Sequence, residues 1–356
     1  MLLLQLFKVF GFLLGGIAIS ATCNGLLLRF SESLGIRNKN DVIIRWSNQS
    51  KPSLGGVSFY VVFVFSAIAF SIIFYNENIF HNKQYVGLFM AGAIAFLMGL
   101  ADDAYNTRPY AKLLVQILCG FILVLTDTTI DVLHDVWLDG GLTVIWVVTI
   151  MNSLNMLDNM DGIAGTTVFF ILLTCLIGGW VVFDFNTSIW SLSLIAVLGA
   201  IIGFLYFNIH PSRLFMGDAG SQFIALFVAF VAIKFLWNVS AVSESSAWAS
   251  VILVLIAFTP AAADTLTVVI NRLKKGKSPM VGGKDHTTHH LVYSGLNDRQ
   301  VWHVFSTIGC ISFVLAVAII YLIKLNVIVP ILFFLLYFIV VFILLYRNTI
   351  KFPQKK

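Results

Sequence analysis

Long runs of apolar residues, separated by short polar segments, make up most of this chain of 356 residues. A helix needs about 20 such residues to cross a hydrocarbon core about 30 Å thick. The polar segments between the runs are too short to form a separate soluble domain. The pattern therefore predicts an all-α, polytopic transmembrane protein with a single integral-membrane domain over residues 1–356. It predicts about eleven spans, at 3–28, 54–75, 84–101, 112–126, 137–154, 162–183, 188–207, 219–237, 247–270, 301–323 and 326–346.

Composition and charge agree with this prediction and give it an orientation. Apolar residues make up 59% of the chain and charged residues 11%, whereas soluble domains average about 45–50% and 25%. Of the 22 Lys and Arg residues, 18 lie after odd-numbered spans or in the C-terminal tail, and only Lys8, Lys83, Lys234 and Lys324 lie elsewhere. Cytoplasmic loops carry an excess of Lys and Arg. We therefore expect the N-terminus outside and the C-terminus in the cytoplasm.

The polar clusters that could carry chemistry also follow odd-numbered spans. They are Lys51 with Pro52, Asp102 with Asp103, the 152–162 segment, the 215–221 segment, and the loop that holds His286, His289 and His290. The opposite side has scattered acids at a four-residue spacing: Asp127, Asp131, Asp135 and Asp139. That spacing predicts one solvated face of a surface helix, without function. The sequence thus places the chemistry on the basic side.

Two of these clusters are candidates for a metal site. Asp102 and Asp103 are adjacent carboxylates at the end of an apolar run, where burial and mutual repulsion both oppose ionisation. A divalent cation relieves both costs, and Mg²⁺ binds through one or two carboxylates plus substrate phosphate oxygens. Asp218 lies between Gly217 and Gly220 at a predicted helix start. It is either a metal ligand or a simple N-cap.

Two further clusters suit substrate binding. Asn155, Asp158 and Asp161 recur every three residues, which predicts one shared helical face that offers donors and acceptors to sugar hydroxyls or a base; a polar helix cap is the alternative. The histidines suit a pyrophosphate, a zinc ion or only a polar loop. Asp264, inside the ninth span, either has a function of its own or holds a neighbouring polar group.

Together these segments resemble the polyprenyl-phosphate N-acetylhexosamine-1-phosphate transferase family (glycosyltransferase family 4 type). The resemblance covers about residues 45–300. Its motifs are Asp102-Asp103 with Pro109, Lys112 and Gln116, Asn155 to Asp158 with Asp161-Gly162, Phe215 to Asp218 with Gly220-Ser221, Asp285-His286 with His289 to Leu291, and Pro52 with Gly55-Gly56. Asn106, Asn159 and the two residues between His286 and His289 depart from the family pattern. We therefore give Asn106 no metal role.

The resemblance implies a Mg²⁺-dependent transferase, with Mn²⁺ as an alternative ion. Its expected partners are a UDP-N-acetylhexosamine, undecaprenyl phosphate and the lipid bilayer. A homodimer is compatible with this expectation, and no nucleic acid is expected as a partner. The bacterial inner membrane is the expected location, with the site facing the cytoplasm. The resemblance implies that the metal is held by Asp218, Asp102 and Asp103. It implies catalytic roles for Asp102, Asp103, Asp158 and Asp161. It implies substrate binding by Lys51, Asn155, Phe215, His286, His289 and His290, with Phe215 stacked on uracil.

Within the resemblance, the residue at position 291 indicates the branch of the family and so the expected substrate. The muropeptide-transferring branch has an acidic residue where Leu291 follows the histidines. Its absence favours the branch that moves GlcNAc-1-phosphate from UDP-GlcNAc to undecaprenyl phosphate and releases UMP, as the first membrane step of an envelope polysaccharide such as O-antigen. The alternatives are a phospho-N-acetylmuramoyl-pentapeptide transferase and, from another class, a secondary transporter with an intramembrane ion site.

Overall fold

The regular structure of the chain is helical throughout the residues that can be described. The computed structural model describes residues 2–30, 51–183, 188–243, 246–279 and 282–353, with side chains from Gln5 onward. The α-helices are α1 Leu2–Arg29, α2 Val57–Ile73, α3 Lys83–Tyr105, α4 Pro109–Leu125, α5 Val136–Leu157, α6 Ile163–Val182, α7 Ile189–Asn208, α8 Gly217–Ala232, α9 Val239–Val242, α10 Ala247–Ala257, α11 Thr259–Lys274, α12 Thr287–Tyr293, α13 Asp298–Lys324 and α14 Leu335–Lys351. Short 3₁₀ turns at Ile79–His81 and Val329–Phe334 and a π-helix at Ile233–Trp237 complete the list.

Each predicted span contains a helix, but the count of about eleven spans is not confirmed. Eight helices in the described ranges are long and apolar enough to cross a membrane, and a ninth is added if α10 and α11 form one broken span. The helices α2 and α4 have 17 residues each. At 1.5 Å per residue each is about 25 Å long, short of the hydrocarbon core. The chain is nonetheless a multi-pass, all-α membrane protein.

Helix α8 lies at the centre of the bundle. Its residues from Ala219 to Ala232 are all buried, as expected of a helix that is apolar on every side. The helices α2, α3, α5 and α6 pack around it, and α4 packs against α3 and α5. The first turn of α8 therefore meets the last turns of α3 and α5, which carry the predicted acidic residues.

Helices α10 and α11 meet at an angle of 82°. The break falls at Phe258, and Pro260 stands in the first turn of α11, where its missing N–H is tolerated. Helix α11 then packs against α5 and α14. This bend brings Asp264 and Arg272 to the segment that carries the three histidines.

At the opposite end of the bundle, the prediction of a solvated helical face through Asp127, Asp131, Asp135 and Asp139 is wrong. Helix α5 begins only at Val136, because the Asp135 side chain caps it by accepting the N–H groups of Trp137 and Leu138 at 3.0 and 2.9 Å. Asp139 is 5% exposed and accepts three backbone N–H groups of the preceding loop. Capping and loop closure, and not helical periodicity, explain the spacing of these acids.

Candidate active site

Asp102, Asp103 and Asp218 meet where α3 ends and α8 begins. Both oxygens of the Asp103 carboxylate accept backbone N–H groups at the start of α8, from Asp218 at 3.0 Å and Ala219 at 2.9 Å. The residue before α8, Met216, provides no side-chain cap. Asp103 is therefore the side chain that satisfies the free N–H groups of this helix terminus, and Asp218 is not a simple N-cap.

Asp218 is held by two further side chains. The Asn155 amide donates to Asp218 Oδ1 at 2.6 Å and to the Ser221 hydroxyl at 2.7 Å. The Lys112 ammonium lies 3.4 Å from Asp218 Oδ2 and forms an ion pair with Asp102 Oδ2. The side chain of Asp218 is 30% exposed and that of Asp102 is 5% exposed. Of the two carboxylates that share Lys112, Asp218 is thus the more accessible to a ligand.

The backbone around Asp218 needs residues without a Cβ. Gly217 has a φ of +77°, in the left-handed region, and packs on the Ser53 carbonyl. Next to it, Gly55 N and Gly56 N donate to the carbonyls of Phe215 and Met216 at 3.0 and 2.8 Å. The segment before α2 therefore lies directly against the start of α8. This contact gives a structural reason for Gly55 and Gly56 before α2.

This arrangement can hold a hard divalent cation only together with a substrate. Among the side chains placed by the structure, no group of three or more His, Cys, Asp or Glu is arranged to hold a metal ion. The available donors are the two carboxylates, Asp102 and Asp218, that face the single positive charge of Lys112. Mg²⁺ commonly takes one or two carboxylates and completes its shell with phosphate oxygens and water. The donor set fits that mode. Both oxygens of Asp103 already accept backbone N–H groups, so Asp103 orders the start of α8 and is not counted among these donors.

Polar side chains continue one turn below the carboxylates. Asn152 donates to Gln116 Oε1 at 2.6 Å, and Gln116 donates to Gln222 Oε1 at 3.1 Å. These residues lie one helical turn from Asn155, Lys112 and Asp218, respectively. The polar face of the site therefore extends into the bundle between α4, α5 and α8.

Asn155, Asp158 and Asp161 do not share a helical face, so that prediction is wrong. Helix α5 ends at Leu157, Asp158 is its C-cap residue, and Asp161 lies in the turn before α6. The Ser212 N–H and hydroxyl donate to Asp161 at 3.0 and 2.7 Å. Only Asn155 of the three has a contact with Asp218 among the described hydrogen bonds.

A second cluster, formed by Lys51, Asp161, His210, Ser212 and Phe215, lies beside the first. Lys51 Nζ lies 3.1 Å from the Ser212 hydroxyl, 4.0 Å from Asp161 Oδ2 and 5.3 Å from the centroid of the Phe215 ring. His210 Nδ1 lies 3.2 Å from the same Asp161 oxygen. An aromatic face next to a cation suits a nucleobase joined to phosphates. This cluster joins Lys51 and Phe215, which the sequence predicted separately.

The three predicted histidines form a third cluster and are all buried, at 5% exposure or less. His286 Nδ1 lies 2.8 Å from Asp264 Oδ2, and the Thr287 N–H donates to the other oxygen of Asp264 at 2.8 Å. This contact bears out the interpretation that Asp264 holds a neighbouring polar group. The His290 ring bonds the Phe352 carbonyl at 2.7 Å through Nδ1. The rings of His286 and His290 are thus held by protein groups.

Arg272 fixes the segment that leads to the histidines. Its Nε and Nη2 atoms donate to the two oxygens of Asp285 at 2.8 and 2.7 Å. Burial raises the pKa of Asp285, but the hydrogen bonds and charge of Arg272 outweigh it and leave the pKa below its usual value. The histidine loop contacts the turn after α5, because Thr288 donates to Asn159 Oδ1 at 2.6 Å.

Several residues that the structure places in these clusters had no predicted role of their own. Lys112 is the only charged residue between Pro109 and Thr126, and a lone charge in an apolar segment is a signal for function or pairing. Ser212, His210 and Ser221 had no such signal. They are common polar residues whose contacts depend on tertiary structure.

Comparison with known proteins supports the expected family. Residues 85–236 match the model of the family described as Glycosyl transferase family 4. The chain is 27% identical over 279 residues to "Probable undecaprenyl-phosphate N-acetylglucosaminyl 1-phosphate transferase" of Bacillus subtilis, a match that covers 75% of this chain and 72% of that protein. The predicted family resemblance is confirmed.

Two other similar proteins show the range of named activities within this resemblance. "Decaprenyl-phosphate N-acetylglucosaminephosphotransferase" of Mycolicibacterium smegmatis is 27% identical over 74% of this chain and 71% of its own length. "Phospho-N-acetylmuramoyl-pentapeptide-transferase" of Streptococcus agalactiae is 27% identical over 56% of this chain and 64% of its own length. The glycosyl transferase family 4 match contains the Asp218 cluster and every member of the second cluster except Lys51, and His286, His289 and His290 also lie outside it.

Proposed function

We propose that this protein transfers GlcNAc-1-phosphate, or a related N-acetylhexosamine-1-phosphate, from a UDP-sugar to undecaprenyl phosphate and releases UMP. The observation that supports this proposal most is the meeting of Asp102, Lys112, Asn155 and Asp218 at the start of α8, next to the Lys51–Phe215 pair. The named activities of the similar proteins from Bacillus subtilis and Mycolicibacterium smegmatis agree with it. The product would start the synthesis of an envelope polysaccharide.

In the proposed reaction, an oxygen of the lipid phosphate attacks the β-phosphorus of the UDP-sugar. A P–O bond forms to the lipid phosphate, and the bond from the β-phosphorus to the oxygen that bridges to the α-phosphorus breaks, so that UMP leaves with that electron pair. The second pKa of a phosphate monoester is about 6, so the acceptor is largely ionised near neutral pH. A protein base is therefore not required, and the main tasks of the site are positioning and charge stabilisation.

We assign Asp218 and Asp102 to a Mg²⁺ ion. Bound Mg²⁺ neutralises negative charge on the diphosphate during phosphoryl transfer. Asn155 fixes the Asp218 carboxylate through its hydrogen bond, and Asp103 fixes the backbone that carries it. Lys112 compensates the charge of the carboxylate pair, so that these groups are held in place before substrates bind.

We assign the nucleotide to the second cluster. The Phe215 ring would stack on uracil, and Lys51 beside it would contact the phosphates. Asp161 holds Lys51 and the loop of Ser212 in place. Asp158 is the C-cap residue of α5 and lies between Asn155 of the first cluster and Asp161 of the second along the chain. The edges of His286, His289 and His290 would complete the diphosphate site from the side of α12. The basic loops at this end of the bundle support a cytoplasmic location for the site in the inner membrane.

The test is UMP release by the purified full-length protein with undecaprenyl phosphate, Mg²⁺ and a panel of UDP-sugars. We expect release with UDP-GlcNAc only when the lipid phosphate is present. Release with UDP-MurNAc-pentapeptide but not with UDP-GlcNAc would assign the chain to the muropeptide branch instead. Absence of release with every UDP-sugar would overturn the transferase proposal, and ion-driven uptake in proteoliposomes would then support a transporter.

A further inference from the structure

A cavity of about 550 Å³ lies at the end of the bundle opposite the candidate active site. It is formed by the start of α3, the loop between α4 and α5, the ends of α6 and α8, and the start of α7. The helices α3, α4, α5 and α8 therefore carry the active-site clusters at one end and the cavity, or its rim, at the other. From Gly217 to Lys234 the chain rises about 25 Å along α8. The cavity is thus separate from the chemistry proposed above.

Lys234 brings a positive charge to the wall of this cavity. It lies in the π-helix Ile233–Trp237, a distortion found often at functional positions. Its ammonium donates to Gln84 Oε1 and lies 4.3 Å from the centroid of the Trp190 ring. Among the described residues, no carboxylate lies within ion-pair distance of it. An ammonium has three N–H donors, so it can donate to a further anion.

The acidic residues that line the same cavity are engaged elsewhere. Asp127 Oδ2 forms an ion pair of 2.9 Å with Lys83. Asp131 Oδ1 lies 3.3 Å from His134 Nδ1. In the described part of the lining, Lys234 is therefore the cation, and the contacts of both carboxylates lie away from it.

Thr128 supplies a second donor. It lines the cavity, is 1% exposed, and its hydroxyl has no hydrogen-bond partner among the described residues. A buried hydroxyl without a partner costs free energy, which an acceptor oxygen of a ligand would recover. The lining thus contains one ammonium and one hydroxyl that has no partner among the described residues.

The remaining walls are apolar and aromatic, and include Phe183, Trp190 and Phe235. The cavity lies where helices long enough to cross a membrane begin or end, and basic pockets between such helices bind anionic lipid headgroups. We propose that this cavity binds the phosphate headgroup of an anionic membrane lipid, with Lys234 and Thr128 as its donors and the aromatic walls against its glycerol and acyl portion.

The test uses the full-length protein in a neutral detergent and measures its thermal unfolding temperature during titration with dihexanoyl phosphatidylglycerol. A ligand that binds the folded state raises this temperature in proportion to its affinity. Dihexanoyl phosphatidylcholine and inorganic phosphate are titrated in parallel, to separate the anionic lipid from a neutral lipid and from a free anion. We expect phosphatidylglycerol to stabilise the wild-type protein more than either.

Lys234→Met should weaken the apparent affinity for phosphatidylglycerol at least about 10-fold, because it removes the charged donor. Lys324→Met is the matched control: this lysine lies at the same end of the bundle, donates to the Val181 carbonyl and does not line the cavity. It should leave the affinity within about twofold of wild type. Wild-type affinity in Lys234→Met, an equal loss in Lys324→Met, or equal stabilisation by inorganic phosphate would overturn the proposal.

A milder variant tests the site without removing a charge from the bundle. Thr128→Val keeps the shape of the side chain and removes only the hydroxyl, so it should fold at least as well as wild type in the absence of lipid. We expect several-fold weaker stabilisation by phosphatidylglycerol. Wild-type stabilisation by phosphatidylglycerol in Thr128→Val would contradict the assignment even if Lys234→Met cannot be purified.

Discussion

Asp103 accepts the backbone N–H of Asp218 at 3.0 Å, across the contact between α3 and α8. Its second oxygen accepts the N–H of Ala219. Its neighbour in sequence, Asp102, instead pairs with Lys112 and accepts the N–H and hydroxyl of Thr107 at 2.7 and 2.6 Å. Two adjacent carboxylates thus have different tasks, since one orders the start of α8 and the other belongs to the charged cluster.

Asp103→Asn tests this division of tasks. Its amide can accept only one of the two N–H groups, so we expect the loss of part of a helix cap, about 1 kcal/mol of stability, and a lower unfolding temperature. Turnover should fall about 10-fold through misplacement of Asp218, with the Mg²⁺ concentration for half-maximal activity unchanged. An increased Mg²⁺ requirement at wild-type thermal stability would show that Asp103 is a metal ligand instead.

Lys112 should stabilise the fold because it neutralises the carboxylate of Asp102, a residue that is 4% exposed as a whole. Removal of one partner of a buried ion pair costs about 3–5 kcal/mol, so Lys112→Met should lower the unfolding temperature strongly. The double variant Lys112→Met/Asp102→Asn should recover much of the stability without recovering UMP release. Lys274→Met is the control, because this lysine contacts only the Tyr346 side chain among the described hydrogen bonds and ring contacts. An equally small effect of Lys112→Met and Lys274→Met would contradict the prediction.

The sequence predicted which helix ends carry the site, because clusters after odd-numbered spans must share one end of a bundle. It could not predict the task of Asp103 or the contact between Lys112 and Asp218, since both depend on how closely α3, α4 and α8 pack. The spacing of Asn155, Asp158 and Asp161 led to the wrong prediction that they share one helical face. Helix α5 ends at Leu157, and the chain turns before Asp161. Periodicity shows that a helix exists but does not fix the residue at which it ends.

Residue spacing was also misleading at the opposite end of the bundle. Asp135 and Asp139 lie four residues apart, as on a helical face, yet the first caps α5 and the second is buried beneath the preceding loop. The count of about eleven spans is not confirmed. Helices α2 and α4 have the expected apolar composition, but each has 17 residues, fewer than the about 20 that cross a hydrocarbon core.

The buried histidine loop gives the protein a pH-dependent stability. Burial, with the nearby charge of His286, lowers the pKa of His289 from 6.5 to about 3. The unfolded chain therefore binds a proton near pH 6.5 that the folded chain does not bind until about pH 3. Stability is complete above pH 6.5 and falls as the pH drops below that value.

The measurement is the unfolding temperature at pH 7.5 and pH 5.0. We expect His289→Gln to lose less stability than wild type between these two values, because Gln does not titrate. His134→Gln, which alters an exposed histidine at the other end of the bundle, should lose as much as wild type. The same loss in His289→Gln and in wild type would show that His289 does not set this dependence.

Phe215→Leu should affect nucleotide binding more than turnover. Stacking of a base on an aromatic ring contributes about 1–3 kcal/mol, so we expect the KM for UDP-GlcNAc to rise at least about fivefold, with a smaller change in kcat. Phe215→Tyr should keep the wild-type KM, and Phe80→Leu, at an exposed residue of the opposite end, is the control. An unchanged KM in Phe215→Leu would remove the ring from the nucleotide site.

The most direct test of the account is Mg²⁺-dependent UMP release by Asp218→Asn, with UDP-GlcNAc and undecaprenyl phosphate as substrates. The variant removes the negative charge of the ligand and keeps the size of the side chain and one acceptor oxygen. Since metal charge stabilisation is worth several kcal/mol and each 1.36 kcal/mol is tenfold in rate, we predict a loss of at least about 10²-fold at wild-type expression. Asp127→Asn, at the other end of the bundle, should keep full activity. Turnover of Asp218→Asn within a few-fold of wild type would contradict the placement of the catalytic metal at the start of α8.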